Sequence, residues 1–159
     1  MHADTEQHKI VIRPYLEQDI RDVIAFERSL RQEEDVWGWE IDEKYLSSVQ
    51  ASFRDSRFSN SLSFLAWQRD CVIGRIDAVL IPTHFDGSVK AYLDWICVLK
   101  SCRHRGVAQK LFTALKDALK ARNVDTLVAL TASNDEAQRF YKSIPDSEMH
   151  DTGIWIDIK

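Results

Sequence analysis

Val98-Leu99-Lys100-Ser101-Cys102-Arg103-His104-Arg105-Gly106-Val107-Ala108-Gln109-Lys110-Leu111 is the stretch on which the fold of this chain turns. A β-rich apolar run, Tyr92 to Leu99, ends at its start. A helix-period pattern (Val107, Leu111, Leu115, Ala118, Leu119) begins inside it. Between them lie Arg103, Arg105 and Gly106. A strand that stops at a basic, glycine-containing turn and opens a helix offers free backbone N–H groups at the positive end of the helix dipole, a site suited to a phosphate or pyrophosphate. Gly106, with no Cβ, lets the backbone approach such a group closely. An ordinary strand-to-helix turn with solvated arginines would carry the same residues, so the flanking chain has to decide.

Composition narrows the classes. At 159 residues the chain has the size of one ordinary domain with a real core. Hydrophobic residues make up 45% and charged residues 29%, as in a soluble globular protein. The net charge of −4 and a pI near 5.7 argue against a general nucleic-acid binder. No run of 18 apolar residues is present, so no membrane span is expected. Residues 1–8 lack the apolar segment of a signal peptide and read as a disordered terminus ahead of a single domain over 9–159. Cys71, Cys97 and Cys102 are odd in number and form no Cys-x-x-Cys pair. They read as reduced cytoplasmic thiols, and the histidines show no ligand spacing, so no metal is expected.

The chain in order gives a strand at Lys9–Arg13 stopped by Pro14, then a helix over 17–31 with Ile20, Val23, Ile24, Phe26 and Leu30 on one face. The segment Gln32 to Glu43 holds six acids and no base, with Trp37, Gly38 and Trp39 between them. Acids beside aromatics suit a cationic guest, although a solvated acidic face with tryptophans packed on the core has the same composition. Asp42 is placed to cap a second helix through Tyr45, Leu46, Val49 and Phe53. Ser63–Trp67 and Cys71–Ile81 form a hairpin across Gln68-Arg69-Asp70. Lys90–Leu99 is the next strand and 106–122 the next helix, closed by Asn123-Val124-Asp125. Thr126–Leu130 is a near-continuous apolar strand, expected to lie parallel to the strand before the helix. A short helix from Asn134 follows, and Asp151–Ile158 alternates like a strand.

Two motifs carry a family resemblance. Arg103-x-x-Gly106-x-Ala108 resembles the Arg/Gln-x-x-Gly-x-Gly/Ala signature of the GNAT superfamily of acetyl-CoA-dependent N-acetyltransferases. Asn134-x-x-Ala137-x-x-Phe140-Tyr141 resembles the family's second signature, about thirty residues on and one strand away. The chain departs from the pattern at His104, where the family usually has Gly, and at Ile144-Pro145, where Gly-Phe is usual. The resemblance implies an α/β (α+β) fold: a GNAT-like mixed, mostly antiparallel central sheet with a parallel central pair and helices on both faces. It implies acetyl-CoA as donor, held by Arg103, His104, Arg105, Gly106, Val107, Ala108 and Asn134. The arm of the donor would run along Ile96, Cys97 and Val98, where a backbone N–H can polarise the acetyl carbonyl.

Direct transfer to an amine needs a proton removed from the amine and one returned to the departing thiol. The resemblance assigns the second task to Tyr141. Asp94, in an otherwise apolar strand, is the candidate for the first, or else a structural carboxylate bonded to a nearby N–H. By period two Tyr92, Asp94, Ile96 and Val98 share a face. The family also places the acidic segment at the acceptor pocket, making Glu33, Glu34, Asp35, Trp37 and Trp39 expected substrate contacts. The expected partner is a small cationic amine rather than nucleic acid or membrane, and a homodimer is open. A catalytically silent acetyl-CoA-binding module and a protein N-terminal or lysine acetyltransferase are the alternatives. Within the family the chain is loosely similar to aminoglycoside 3-N-acetyltransferases, through Pro82, Met149-His150 and Asp157-Ile158.

Overall fold

The structure, a computed structural model, describes residues 9–34, 38, 40–124, 126–150, 153, 154, 156 and 158. It divides into two compact units, Met1–Val128 and Ala129–Lys159. The first carries β1 (Ile10–Pro14), α1 (Ile20–Glu33), α2 (Glu43–Ser52), β2 (Ser61–Gln68), β3 (Cys71–Pro82), β4 (Val89–Val98) and α3 (Val107–Lys120). β5 (Leu127–Ala129) follows, and α4 (Asp135–Lys142) belongs to the second unit. The strands lie in sequence order, β1-β2-β3-β4-β5, antiparallel through β4 with β4 and β5 parallel. This is the mixed sheet that the element order predicts.

Local chemistry accounts for the helices. A 3-10 turn over Glu17–Asp19 leads into α1, whose Ile20, Val23, Ile24, Phe26 and Leu30 are all buried. Asp19 is buried at this entry because Arg13 grips both its oxygens (2.8 and 2.9 Å) and Leu16 donates its N–H at 3.0 Å. Asp42 caps α2 by accepting from the Tyr45 N–H at 2.8 Å, as its position predicts. α3 buries Val107, Leu111, Leu115 and Leu119. It ends at Asn123, whose φ of 56° turns the chain left-handed so that Val124 N–H reaches the Leu119 carbonyl at 3.0 Å.

Helices cover both faces of the sheet. A Cβ added at Gly74 would stand 3.2 Å from Val107 Cγ1, Leu111 Cδ1 and the Cys97 carbonyl, so the missing side chain lets α3 lie close on β3. Arg75, next along β3, points to the other face and meets Glu27 of α1. Among the described residues of 151–158, Gly153, Ile154, Ile156 and Ile158 lie in no strand; the rest of that expected strand falls outside the described residues. Alternation specifies a face but supplies no partner.

Candidate active site

β4 does not keep its period. Its register against β3 runs Asp77 to Trp95 and then Ala78 to Leu93, leaving Asp94 as the inserted residue of a β-bulge. A bulge turns the strand and shifts every later side chain by one face. Tyr92 therefore pairs with Val79 and joins Trp95 and Cys97, while Ile96 and Val98 face the α3 side with Leu93. This corrects the expectation that Tyr92, Asp94, Ile96 and Val98 share one face. Asp94 is exposed, and no described residue gives its carboxylate a hydrogen bond or ion pair. Leu99 N–H bonds to the Ile73 carbonyl at 3.0 Å, so by alternation the Cys97 N–H also points at β3. The N–H groups of Ile96 and Val98 therefore point the other way, to the β5 side of β4.

Beyond β4 the chain makes a 3-10 turn over Lys100–Cys102 and then two left-handed residues, His104 at φ 57° and Gly106 at φ 74°. Gly106 is the cap position of α3, and no side chain caps that helix. The first N–H groups of a helix have no internal acceptor, so those of Val107, Ala108 and Gln109 are left as donors at the positive dipole end. The loop keeps this geometry although His104 stands where glycine is favoured. A cleft of about 1010 Å³ opens beside it, lined by Lys9, Gln68, Arg69, Cys71, Arg105 and Lys110, with four cations and no acid among them. Arg105 Nη1 donates to Gln68 Oε1 at 3.3 Å.

Arg103 turns inward instead. Its Nε donates to the Val98 carbonyl at 3.1 Å, and its guanidinium makes a two-point contact with Glu34, Nη1 to Oε1 at 2.9 Å and Nη2 to Oε2. Glu33 accepts from the Ser101 N–H at 3.0 Å and from its hydroxyl at 2.5 Å. Two of the acids expected to face an acceptor, Glu33 and Glu34, are thus bonded to the loop before α3. Asp35, Trp37 and Trp39 lie outside the described residues. Cys97, half-buried beside Arg103 and Glu34, has its thiol pushed up to about 11 by burial, a rise the Arg103 charge opposes. It is protonated at neutral pH and makes a poor nucleophile.

A buried polar cluster on the α1 side of the sheet went unread in the sequence. Glu27, 2% exposed, accepts from the Tyr45 hydroxyl at 2.8 Å and meets Arg75 Nη1 at 3.2 Å. Arg75 Nε lies 2.7 Å from Asp77, which also accepts from the Ser63 hydroxyl at 2.6 Å. The Arg75 guanidinium sits over the Tyr15 ring at 4.9 Å and the Trp95 ring at 5.6 Å. Burial raises the Glu27 carboxyl above its ordinary value, against the opposing pull of the Tyr45 hydrogen bond and Arg75. The available signal was an Arg and an Asp two apart inside an apolar strand.

In the second unit, Asn134 caps α4 by accepting from the Ala137 N–H at 2.9 Å. Tyr141, near the end of that helix, lies edge-on to Phe140 at 5.3 Å and is half-buried. No described helix is long and apolar enough to cross a membrane, and no group of three metal-ligating side chains occurs among the described residues.

The fold has close relatives among solved structures. The aminoglycoside acetyltransferase meta-AAC0020 from an uncultured soil metagenomic sample superposes with a TM-score of 0.79 at 18% identity, over 94% of this chain and 97% of that one. The AAC(6')-Iy complex with the bisubstrate analogue CoA-S-monomethyl-acetylneamine gives 0.74 at 19% identity, over 95% and 99%. Ribosomal-protein-alanine N-acetyltransferase from Brucella melitensis biovar Abortus 2308 gives 0.72 at 17%, over 94% and 100%. The AAC(6') name specifies the 6' nitrogen, where the sequence likeness pointed to 3-N enzymes. A search of curated proteins returned no match. The model of the acetyltransferase (GNAT) family matches residues 12–144, from β1 through α4 and so across both signature motifs, and the chain belongs to the GNAT family of acetyltransferases.

Proposed function

We propose that the protein moves an acetyl group from acetyl-CoA directly to a primary amine of a small cationic molecule. The observation that carries this is the bulge at Asp94, followed within one strand end by an uncapped helix start at Gly106. The residues fit the donor. The N–H groups of Val107, Ala108 and Gln109 would hold the pyrophosphate, and Arg105 and Lys110 add positive charge beside it. Asn134, in the second motif, would help hold the arm. Acetyl-CoA supplies an acetyl group already activated as a thioester. The chain's own groups then have three tasks. The Ile96 or Val98 N–H polarises the acetyl carbonyl. Asp94, exposed and unpartnered, takes the proton from the amine, and Tyr141 returns one to the thiol.

Direct transfer is favoured because Cys97, the cysteine beside the Arg103 anchor, is held as a thiol by burial. Kinship and charge support a cationic acceptor. One structural neighbour was solved with sisomicin, a cationic aminoglycoside, and Asp35, Trp37, Trp39 and the exposed Glu40 supply acids and aromatics for such a guest. The test is a panel of polyamines, aminoglycosides and N-terminal peptides with acetyl-CoA, following free thiol. Turnover with cationic small amines is expected. Turnover with peptides alone would move the activity to protein acetylation, and binding without turnover would leave a silent module.

A further inference from the structure

Glu33 and Glu34 end α1, yet their carboxylates act on the loop that opens α3, 68 and 69 residues away. They bracket its most constrained part. Ser101 is held through both its N–H and its hydroxyl, and Arg103 through a two-point ion pair and a bond back to the Val98 carbonyl. Immediately after Arg103 comes His104 in the left-handed region, a conformation that disfavours side chains. A loop that holds such a residue needs fixed flanks. The Arg103–Glu34 pair can supply them: both side chains are largely shielded, at 20% and 26% exposure, where a fork-to-fork contact is strong and directional.

We propose that Glu33 and Glu34 are positioning residues for the donor, and that Arg103 is their anchor rather than a phosphate contact. They fix the loop so that the N–H groups beginning at Val107 converge on the pyrophosphate. The proposal rests on the reading of acetyl-CoA as donor.

The two roles for Arg103 predict opposite signs. If Arg103 contacts phosphate, Glu34 competes for it, and Glu34→Gln tightens acetyl-CoA. If the pair positions the loop, Glu34→Gln and Arg103→Gln each weaken acetyl-CoA, by about tenfold, and the double variant is no worse than either alone. The exchange Glu34→Arg with Arg103→Glu then restores affinity to within about threefold of the parent. Titration calorimetry with acetyl-CoA reads all four proteins, with melting curves to establish folding. Glu33→Gln, which disturbs the Ser101 and Lys100 contacts and removes a charge near Arg103 but leaves the Arg103–Glu34 pair in place, serves as a second arm and is also expected to weaken acetyl-CoA. In turnover the acceptor KM should stay constant while the acetyl-CoA KM rises, a split that general loss of structure would not give. Unchanged or tighter binding by Glu34→Gln, or an exchange variant no better than the singles, overturns the proposal and leaves the donor assignment standing. Failure of the unaltered protein to bind acetyl-CoA overturns both.

Discussion

Glu27→Ala is the perturbation whose size the structure fixes best. Glu27 is 2% exposed and has two partners, the Tyr45 hydroxyl and Arg75. At 3.2 Å the attraction to Arg75 is about 5 kcal/mol at an effective dielectric of about 20. Desolvation takes much of that back, so the ion pair contributes little net stability. Removing one partner is different, because the other stays buried: such losses run about 3–5 kcal/mol. Arg75 keeps Asp77 and is 19% exposed, which puts the expected loss at the lower end, about 3 kcal/mol. In a chain of this size that lowers the melting temperature by about 6–12 °C.

Urea unfolding at pH 7 is the assay, with Arg75→Met and the double variant completing a cycle. A loss under about 1 kcal/mol, or no coupling, would refute the claim that this pair ties α1 to β3. The pH dependence provides a second check. Burial raises the folded-state carboxyl of Glu27 above its ordinary value of 4.5, so between the two values the folded state binds more protons than the unfolded. The Glu27 contribution to stability is therefore greatest below the ordinary value and declines as pH rises through the raised one. Glu27→Gln should remove that decline.

Tyr141→Phe should lower kcat by about ten- to a thousandfold with acetyl-CoA affinity retained, as rapid-mix kinetics and calorimetry would show; an unaltered kcat makes Tyr141 a packing residue. Cys97→Ser should leave kcat within about twofold, and mass spectrometry should find no acetyl-enzyme, because the thiol is pushed up to about 11. His104→Gly relieves a left-handed side chain at φ 57° and should stabilise the fold by up to about 1 kcal/mol; a lower melting temperature would show that the imidazole makes a contact worth more than the strain.

What the sequence disclosed follows from the range of the interactions. Asp42 and Asn134 announce helix starts because a cap bond spans three residues, and both bonds are present. The turn from β4 into α3 is legible for the same reason: strand, turn and helix adjoin within a dozen residues. The bulge at Asp94 is not, since an inserted residue leaves an apolar run looking like any other and shows only against its partner strand. The contacts of Glu33 and Glu34 with the loop before α3 could not be read from the sequence, because composition reports charge and not direction. Their partners stand 68 and 69 residues on, and an acidic segment looks the same whether it faces a ligand or the chain's own arginine. Arg75 and Asp77 could be seen as odd in a strand, but Glu27 and Tyr45, which complete the cluster, lie on two other elements.

These placements bear on the order of chemical events. A covalent acetyl-enzyme would let donor and acceptor visit in turn, but it needs a nucleophile, and the thiol on β4 is kept protonated by burial. Direct transfer, as proposed, needs amine and thioester present together, and velocity plotted against either substrate should then give intersecting rather than parallel lines. On the proposed reading the site takes two substrates of opposite charge at once. A carboxylate next to the reacting amine keeps it protonated and unreactive, while one next to the pyrophosphate repels it. Binding Glu33 to Ser101 and Glu34 to Arg103 offsets their charge beside the loop that opens α3. At the bulge, Asp94 is exposed and has no hydrogen bond or ion pair with any described residue. On the proposed reading, one carboxylate there can serve as the base for the attacking amine without surrounding the nitrogen with negative charge.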